Sequence, residues 1–411
     1  MSTSPDAGAG SGRRVVAVVA GMQLAAALGY YAVMAHLVAH LRHDVGLLAG
    51  TISLVLGLRT AVQYALFLPF GPLVDRLGPR RAGMLACGLR TVAFGLLGVA
   101  GDLGTLLGAA MALAVGGALL HPCAQSLLAR LPPASRSGGF GIYVVTGQVA
   151  AVVGPPAGLA LLAGGFGLLA AVAAGAWAFS ALLFGLLPRT AGPTAASGDH
   201  VLLRGASNVV RDRAFLRGVA DVVRDRAFLR FAAVTAPSTL LATQVTTVVP
   251  LTVASPGQVT LFFCAGAATA AGVQPFLSRH GRGGRSWVLR AGLLCTGLGY
   301  LPVAALPSAA DRQGAALVAA AVLNGLGTGL MQTGTFHTIA GRAPQDRVGA
   351  YIGVVNFMAG TVAFAGGLLV GQLFDAGAQT VGLVGLAALG TVSAAAVSQR
   401  DGASAQAPSQ R

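Results

Sequence analysis

The amino-acid sequence predicts an all-α membrane protein that crosses the bilayer twelve times. Of its 411 residues, 55% are hydrophobic and only 9% are charged, whereas a soluble domain carries about 25% charged residues. Apolar runs of about 20 residues, the length that crosses the hydrocarbon core as a helix, recur along the chain with short polar breaks. Composition and segmentation together indicate a polytopic helical fold.

The apolar runs mark the predicted spans. We place them at residues 15–38, 46–70, 82–101, 105–127, 140–163, 166–187, 229–251, 257–277, 287–307, 314–338, 349–371 and 378–397. The longest polar stretch, residues 188–228, separates six spans from six. The predicted organisation is a tail at 1–13, a six-helix bundle at 14–187, the cytoplasmic linker at 188–228, a second six-helix bundle at 229–398 and a tail at 399–411.

The distribution of arginine predicts the orientation. The net charge is +15, but the arginines are clustered between apolar runs, so nucleic-acid binding is not expected. Nearly all of the loop arginines fall on one side of the membrane, and only Arg42 and Arg312 fall in loops on the other. Arginine-rich loops are cytoplasmic, so we expect both termini in the cytoplasm of a multi-pass protein of the cytoplasmic (inner) membrane.

The linker contains nine residues repeated in tandem, at 209–217 and 222–230. The repeat has the form of a duplicated amphipathic entry into span seven. A solvated linker that enforces topology is one interpretation of this basic stretch, and binding to anionic lipid is the other.

The sequence carries no pattern typical of an enzyme. Cys87, Cys123, Cys264 and Cys295 lie inside apolar runs without the paired spacing of a zinc site. We find no nucleophile elbow, metal-ligand cluster or phosphate-binding loop. Neither catalysis nor a metal or other cofactor is therefore expected.

Residues in the first half recur in the second at a constant offset. Arg130, Pro132 and Gly154 reappear in the same order as Arg342, Pro344 and Gly366. Such internal similarity is typical of transporters built from two parallel repeats. It predicts two pseudo-symmetric six-helix bundles.

The loop after span two carries the most specific motif. Residues 71–81 read Gly-Pro-Leu-Val-Asp-Arg-Leu-Gly-Pro-Arg-Arg, which resembles the signature loop of the major facilitator superfamily, G-x-x-x-D-R-x-G-R-R. The resemblance implies that this loop latches the two halves on the cytoplasmic side in one conformational state. The residues that it assigns to the latch are Gly71, Asp75, Arg76, Gly78 and Arg80. Fixing topology alone is the other interpretation, and Ser278 stands where the second half would need the aspartate.

Span five carries a second resemblance. Gly147 precedes Gly154, Pro155, Pro156, Ala157 and Gly158, which is similar to the G-P-x-x-G-G motif of drug and proton exporters in the same superfamily. Leu159 replaces the final glycine, so the motif is incomplete. Glycines allow close helix packing and prolines bend a helix; a generic bent helix is the alternative.

Charged residues inside spans are functional-site candidates. Arg59 falls near the middle of span two, and Gln63 follows one helical turn later on the same face. The pair either binds an anionic or polar substrate group by charge-assisted hydrogen bonds or supports the fold by bonding to backbone carbonyls. Arg90 and Arg290 are expected to extend to the cytoplasmic interface.

Uncharged and titratable groups complete the list of candidates. The resemblance places several polar residues around a central substrate cavity: Tyr30, Tyr31, Gln148, Asn324, Gln332 and Asn356. None of the 12 acidic residues lies well inside a predicted span, although proton-coupled exporters commonly carry an embedded carboxylate. Proton coupling would therefore run through a histidine, with His121 and His337 as candidates, or through an aspartate deeper in the membrane than we place it, or would not occur. Protons are thus a candidate partner.

The function that we predict from these features is secondary active transport of a small molecule by alternating access. Export of a hydrophobic or amphipathic compound is the first hypothesis, and transport of an organic anion through a positively charged cavity is the second. A non-transporting membrane sensor or scaffold of the same fold is the third. We expect a monomer whose partners are its substrate and the lipid bilayer.

Overall fold

The structure is a computed structural model that describes residues 5–129, 133–187, 222–253, 255–279, 286–306, 313–342 and 348–397. Within these ranges, side chains are described except at 5–14, 71–72, 75–76, 125, 129, 133–137, 278–279, 286, 333, 336–342 and 348–350. The predicted linker as far as residue 221, the C-terminal tail at 399–411 and the side chain of His337 lie outside the described residues.

The described residues form helices joined by short turns, and none of them lies in a β-strand. The helices are α1 (Pro5–His43), α2 (Ala49–Leu77), α3 (Pro79–Val99), α4 (Leu103–Ala129), α5 (Pro133–Leu162), α6 (Phe166–Gly185), α7 (Arg226–Thr235), α8 (Pro237–Thr252), α9 (Pro256–Arg279), α10 (Ser286–Leu298), α11 (Tyr300–Ala304), α12 (Gln313–Arg342), α13 (Val348–Asp375) and α14 (Gln379–Ala396).

Among the described residues, twelve segments are long and apolar enough to cross a membrane. The predicted fold class, an all-α membrane protein with twelve spans, is confirmed. Two spans consist of consecutive helices, since α7 and α8 form span seven and α10 and α11 form span nine. The first break falls before Pro237, whose backbone nitrogen has no hydrogen to donate.

The helices group into two compact units. The first unit contains α1 as far as Met34 and the chain from Leu66 to the end of α6, and the second contains residues 35–65 together with α7 to α14. The start of α2 therefore packs with helices from the second half of the chain. The boundaries that we derive from the sequence, 14–187 and 229–398, follow chain order and stay a prediction.

Small residues line the helix contacts of the first unit, where α3 packs against α4 and α6. A β-carbon added at Gly98 would lie 2.9 Å from Ala170 Cβ. Between lipid-embedded helices, association depends on this close packing, because lipid tails are as apolar as the side chains. The aromatic rings of Phe94 and Trp177 stack between α3 and α6, with centroids 6.1 Å apart.

Polar anchors fix the core of the second unit. Asp225 caps α7 by accepting a hydrogen bond from the Phe228 amide at 3.0 Å, and its other carboxylate oxygen accepts one from the Tyr351 hydroxyl at 3.3 Å. The Tyr351 ring meets the Phe228 ring edge-on, with centroids 4.4 Å apart. The buried Tyr300 hydroxyl donates to the carbonyl oxygen of Leu241. These contacts join α7, α8, α11 and α13.

The contact between α1 and α5 yields a stability prediction. A β-carbon at Gly158 would lie 2.5 Å from the carbonyl oxygen of Ala32, so Gly158→Ala must push the two helices apart. We expect this variant to lower the melting temperature of the detergent-purified protein by several degrees. Gly175→Ala in α6 is the matched control, because nothing lies within 4 Å of its added β-carbon and alanine favours helix. Equal melting temperatures for the two variants would contradict the close approach of α5 to α1 at Gly158.

Candidate functional site

Arg59 and Gln63 lie on one face of α2, in the second unit. Arg59 stands ten residues after Ala49, about 15 Å along the helix at about 1.5 Å per residue, in the middle of a span that runs from Ala49 to Phe70. Its Nη2 atom donates to Gln63 Oε1 at 3.3 Å, and Gln63 is buried. The helix repeat therefore brings a guanidinium and an amide together at mid-span.

Arg90 does not extend to the cytoplasmic interface, so that expectation was wrong. It lies in the middle of α3 with 6% of its surface exposed. Its guanidinium carbon is 4.7 Å from the centroid of the Trp177 ring and 5.4 Å from that of Tyr30. Attraction between a cation and aromatic rings is strongest where water is excluded, which explains why the charge is retained at this depth.

Further aromatic side chains lie near Arg90 in the first unit. The His121 ring of α4 meets the Phe67 ring edge-on, with centroids 6.1 Å apart, and Tyr143 of α5 lies within electrostatic range of Arg90. The rings of Tyr30 and Tyr31 meet edge-on at 5.5 Å. Tyr31 and His121 are exposed, and Tyr30 and Tyr143 are partly exposed. We call Tyr30, Tyr31, His121 and Tyr143 the aromatic cluster; it combines apolar surface, polar tips and a nearby cation.

The span-five motif lies against the backbone of α1. A β-carbon at Gly154 would lie 2.6 Å from Tyr31 Cβ, and Gly158 faces the Ala32 carbonyl. Pro155 and Pro156 fall inside α5 without ending it. About two helical turns before Gly154, a β-carbon added at Gly147 would lie 3.2 Å from Gln23 Nε2. The motif glycines thus determine how closely α5 approaches the tyrosines of the aromatic cluster.

The remaining polar candidates are not brought into a single cluster by any contact in the described part of the chain. Asn324 is buried, donates to the Ala320 carbonyl at 3.3 Å and fills the space beside Gly299, which is a packing role. Gln332 is exposed, and Asn356 and Gln148 are partly exposed.

Gln244 of α8 is a polar residue that the sequence patterns did not single out. It is 5% exposed, and its side-chain oxygen is buried without a hydrogen-bond partner among the described residues. A β-carbon at Gly367 would lie 2.5 Å from its Nε2 atom, so a glycine on α13 makes room for this amide. Gln244 could have been recognised as a candidate because it is a polar residue inside an apolar span. Asn324 was chosen as a candidate for that reason.

The signature loop after α2 is only partly described. Gly78 adopts a φ of 79°, a conformation that glycine reaches without strain, and Pro79 then starts α3. Arg80 Nη2 donates at 2.6 Å to the Gly185 carbonyl oxygen at the end of α6. Gly71, Asp75 and Arg76 lie in the last turns of α2, and their side-chain surroundings are outside the described part of the structure.

The described residues contain no group of three or more His, Cys, Asp or Glu side chains placed to hold a metal ion. The four cysteines are free thiols. Arg290, which lies inside span nine and is partly exposed, donates from Nε to the carbonyl oxygen of Ala394 at 3.3 Å.

The sequence model of the Major Facilitator Superfamily matches residues 19–367. The chain belongs to the Major Facilitator Superfamily. This membership, with twelve segments long and apolar enough to cross a membrane in the described residues, makes it a multi-pass membrane protein. The resemblance that we drew from residues 71–81 is confirmed at the level of the family.

Curated relatives match shorter stretches of this Major Facilitator Superfamily chain. An uncharacterized MFS-type transporter of Mycobacterium tuberculosis is 35% identical over 160 residues, which cover 39% of this chain and 36% of the relative. The chain thus spans about a third of the length of that relative. The multidrug resistance protein MdtH of Shigella dysenteriae serotype 1 is 26% identical over 147 residues, which cover 36% of this chain and 37% of that protein.

Solved structures of transporters share the fold. A POT family transporter in complex with 5-aminolevulinic acid superposes with a TM-score of 0.76 at 15% identity, over 95% of this chain and 96% of that chain. A peptide transporter POT in complex with sulfate gives a TM-score of 0.74 at 17% identity, over 95% of each chain. At such low identity the likeness concerns the fold alone.

The stacking around Arg90 yields a second prediction. Lysine keeps the charge but lacks the planar guanidinium that stacks on aromatic rings. We expect Arg90→Lys to destabilise the purified protein by about 1 to 2 kcal/mol, seen as a lower melting temperature. Arg81→Lys on the same helix is the control, because Arg81 is exposed. If both variants melt like the parent, Arg90 is not held by the two rings.

Proposed function

We propose that this transporter exports a hydrophobic or amphipathic small molecule by alternating access. The main support for this proposal is the aromatic cluster beside Arg90, which offers apolar ring surface together with hydroxyl and imidazole groups. Binding sites for small organic molecules typically combine a mainly apolar lining with a few polar groups. The incomplete exporter-like motif in span five, packed directly behind Tyr31, supports the same proposal, as does the multidrug resistance protein among its relatives.

The proposed orientation places both termini in the cytoplasm and the protein in the cytoplasmic membrane as a monomer. The signature-loop residues Gly71, Asp75, Arg76, Gly78 and Arg80 act in the conformational change rather than in substrate binding. His121 is the proposed proton carrier among the described side chains, because it is a titratable side chain inside span four and its surface is exposed. His337 is the second candidate.

Flux measurements test the proposal. The purified protein is reconstituted in liposomes, and movement of three probes is followed under an imposed pH gradient: ethidium as an amphipathic cation, carboxyfluorescein as an organic anion and a labelled dipeptide. Export of an amphipathic compound requires gradient-dependent movement of ethidium. Movement of the dipeptide alone would instead assign a substrate like those of the peptide transporters that share its fold. Ligand-induced thermal stabilisation without any flux would favour a sensor.

Transport of an organic anion is the second candidate, and the Arg59 and Gln63 pair favours it. Both side chains are at mid-span on one face of α2, and the only charges well inside the described spans belong to arginines. A guanidinium binds carboxylate or phosphate through two parallel hydrogen bonds. A substrate with an apolar body and one anionic group would satisfy both candidates.

A substitution separates the two candidates. Arg59→Ala is expected to reduce carboxyfluorescein flux at least tenfold, because one charge-assisted hydrogen bond contributes about 1.5 to 3 kcal/mol. Ethidium flux and protein abundance should not fall. Arg59→Lys, which keeps the charge, should retain part of the anion flux. Anion transport that is unchanged in Arg59→Ala would remove Arg59 from the substrate site.

A further inference from the structure

The first turn of α2 lacks a cap of its own. The amides at a helix start have no partner within the helix, and a Ser, Thr, Asp or Asn just before the helix usually accepts a hydrogen bond from one of them. Here the preceding residue is Leu48, whose backbone carbonyl begins the helix by accepting from the Ile52 amide at 3.0 Å. Its side chain offers no acceptor, so the cap must come from elsewhere.

Asp375, the last residue of α13, supplies that cap from 325 residues away. Its Oδ1 atom accepts from the Ala49 amide at 2.8 Å, and its Oδ2 atom accepts from the Gly50 amide at 2.7 Å. Both carboxylate oxygens are thus used on the first two amides of α2, where the helix dipole favours a negative charge. We call this contact the Asp375 clasp.

Below the clasp, α2 and α13 run antiparallel in close contact within the second unit. A β-carbon added at Gly371 would lie 2.5 Å from Ser53 Oγ, and one at Gly360 would lie 2.8 Å from Tyr64 Cβ. On the other helix, a β-carbon at Gly57 would lie 3.1 Å from the Phe364 ring. The clasp therefore lies at the end of a helix contact that continues for about four helical turns. In the described residues, no contact joins the clasp to the candidate substrate residues.

We propose that the Asp375 clasp is a latch that holds closed the end of the transporter where α2 begins and α13 ends. Span two comes from the first six spans and span eleven from the last six, so alternating access must separate them at this end. This inference rests on the proposed alternating access. With the termini in the cytoplasm, the latch faces the outside, at the opposite end from the signature loop.

The chemistry of the clasp suits a latch that must open. Asp375 is exposed, so water can hydrate the carboxylate and the two amides once the helices part. Asp102 offers a local comparison: it accepts from the Thr105 hydroxyl and from the Thr105 amide at 3.0 Å at the start of its own helix α4. Those hydrogen bonds, the hydroxyl first, lower the pKa of Asp102. The same carboxylate chemistry acts within one helix there and between two helices at Asp375.

Thiol accessibility tests the latch without any substrate. Ser53 is 3% exposed, and its hydroxyl makes no hydrogen bond in the described structure, so Ser53→Cys is a mild change. It is placed in a chain whose four native cysteines are replaced by alanine, in nanodiscs, and labelled with a sulfonated, water-soluble maleimide. We expect Asp375→Ala to raise the labelling rate about tenfold. Asp375→Asn, which keeps one acceptor oxygen, should give a smaller increase.

Two control variants make the outcome decisive. Asp102→Ala removes a cap of the same kind within one helix and should leave the labelling rate unchanged. Gly371→Ala adds a methyl group against Ser53 and should raise labelling by forcing the helices apart. Parent-like labelling of both Asp375 variants overturns the latch, as does an equal increase in Asp102→Ala. Because no flux is measured, these results are independent of whether ethidium or carboxyfluorescein is transported.

Discussion

Peptide groups inside a bilayer have no water to bond to, so each one must be satisfied within the protein. This constraint makes every described span helical and concentrates unsatisfied amides and carbonyls at helix ends. Those ends are where the polar side chains of this chain are used. Asp225 caps α7, Arg80 donates to the end of α6, and Asp375 caps α2. Polar groups that would be ordinary on a soluble protein here decide which helices stay together.

Close packing of small residues follows from the same setting. Lipid offers no hydrophobic drive for helices to associate, so they must approach until backbones touch. Glycines at 154 and 158 bring α5 onto α1, and glycines at 360 and 371 bring α13 onto α2. The first contact supports the side chains beside Arg90, whereas the second spans two helices that transport would have to separate. Similar local packing thus serves a fixed contact in one place and, in our proposal, a reversible one in the other.

Sequence patterns were sufficient for the spans and the family, because apolar length and the 71–81 motif are local properties. They were insufficient where the deciding partner is distant in the chain. Arg90 was expected at the interface because the two rings that contact it, Tyr30 and Trp177, lie on other helices. Nothing close to Arg90 in the sequence indicates them. Asp375, like every acidic residue, was expected not to lie well inside a span, but nothing near it in sequence indicates the bare amides of Ala49 and Gly50. Site roles for the polar candidates stay predictions, since composition does not specify which faces converge.

The cap at Asp225 changes the meaning of the tandem nine-residue repeat. Asp225 belongs to the second copy, 222–230, and Asp212 holds the equivalent position in the first copy, 209–217. The second copy alone supplies the aspartate, the phenylalanine and the flanking arginines at the entrance to span seven. A chain with either copy removed would still carry the same nine residues at that entrance, so the length of the connection can change without changing the residues that start the second half.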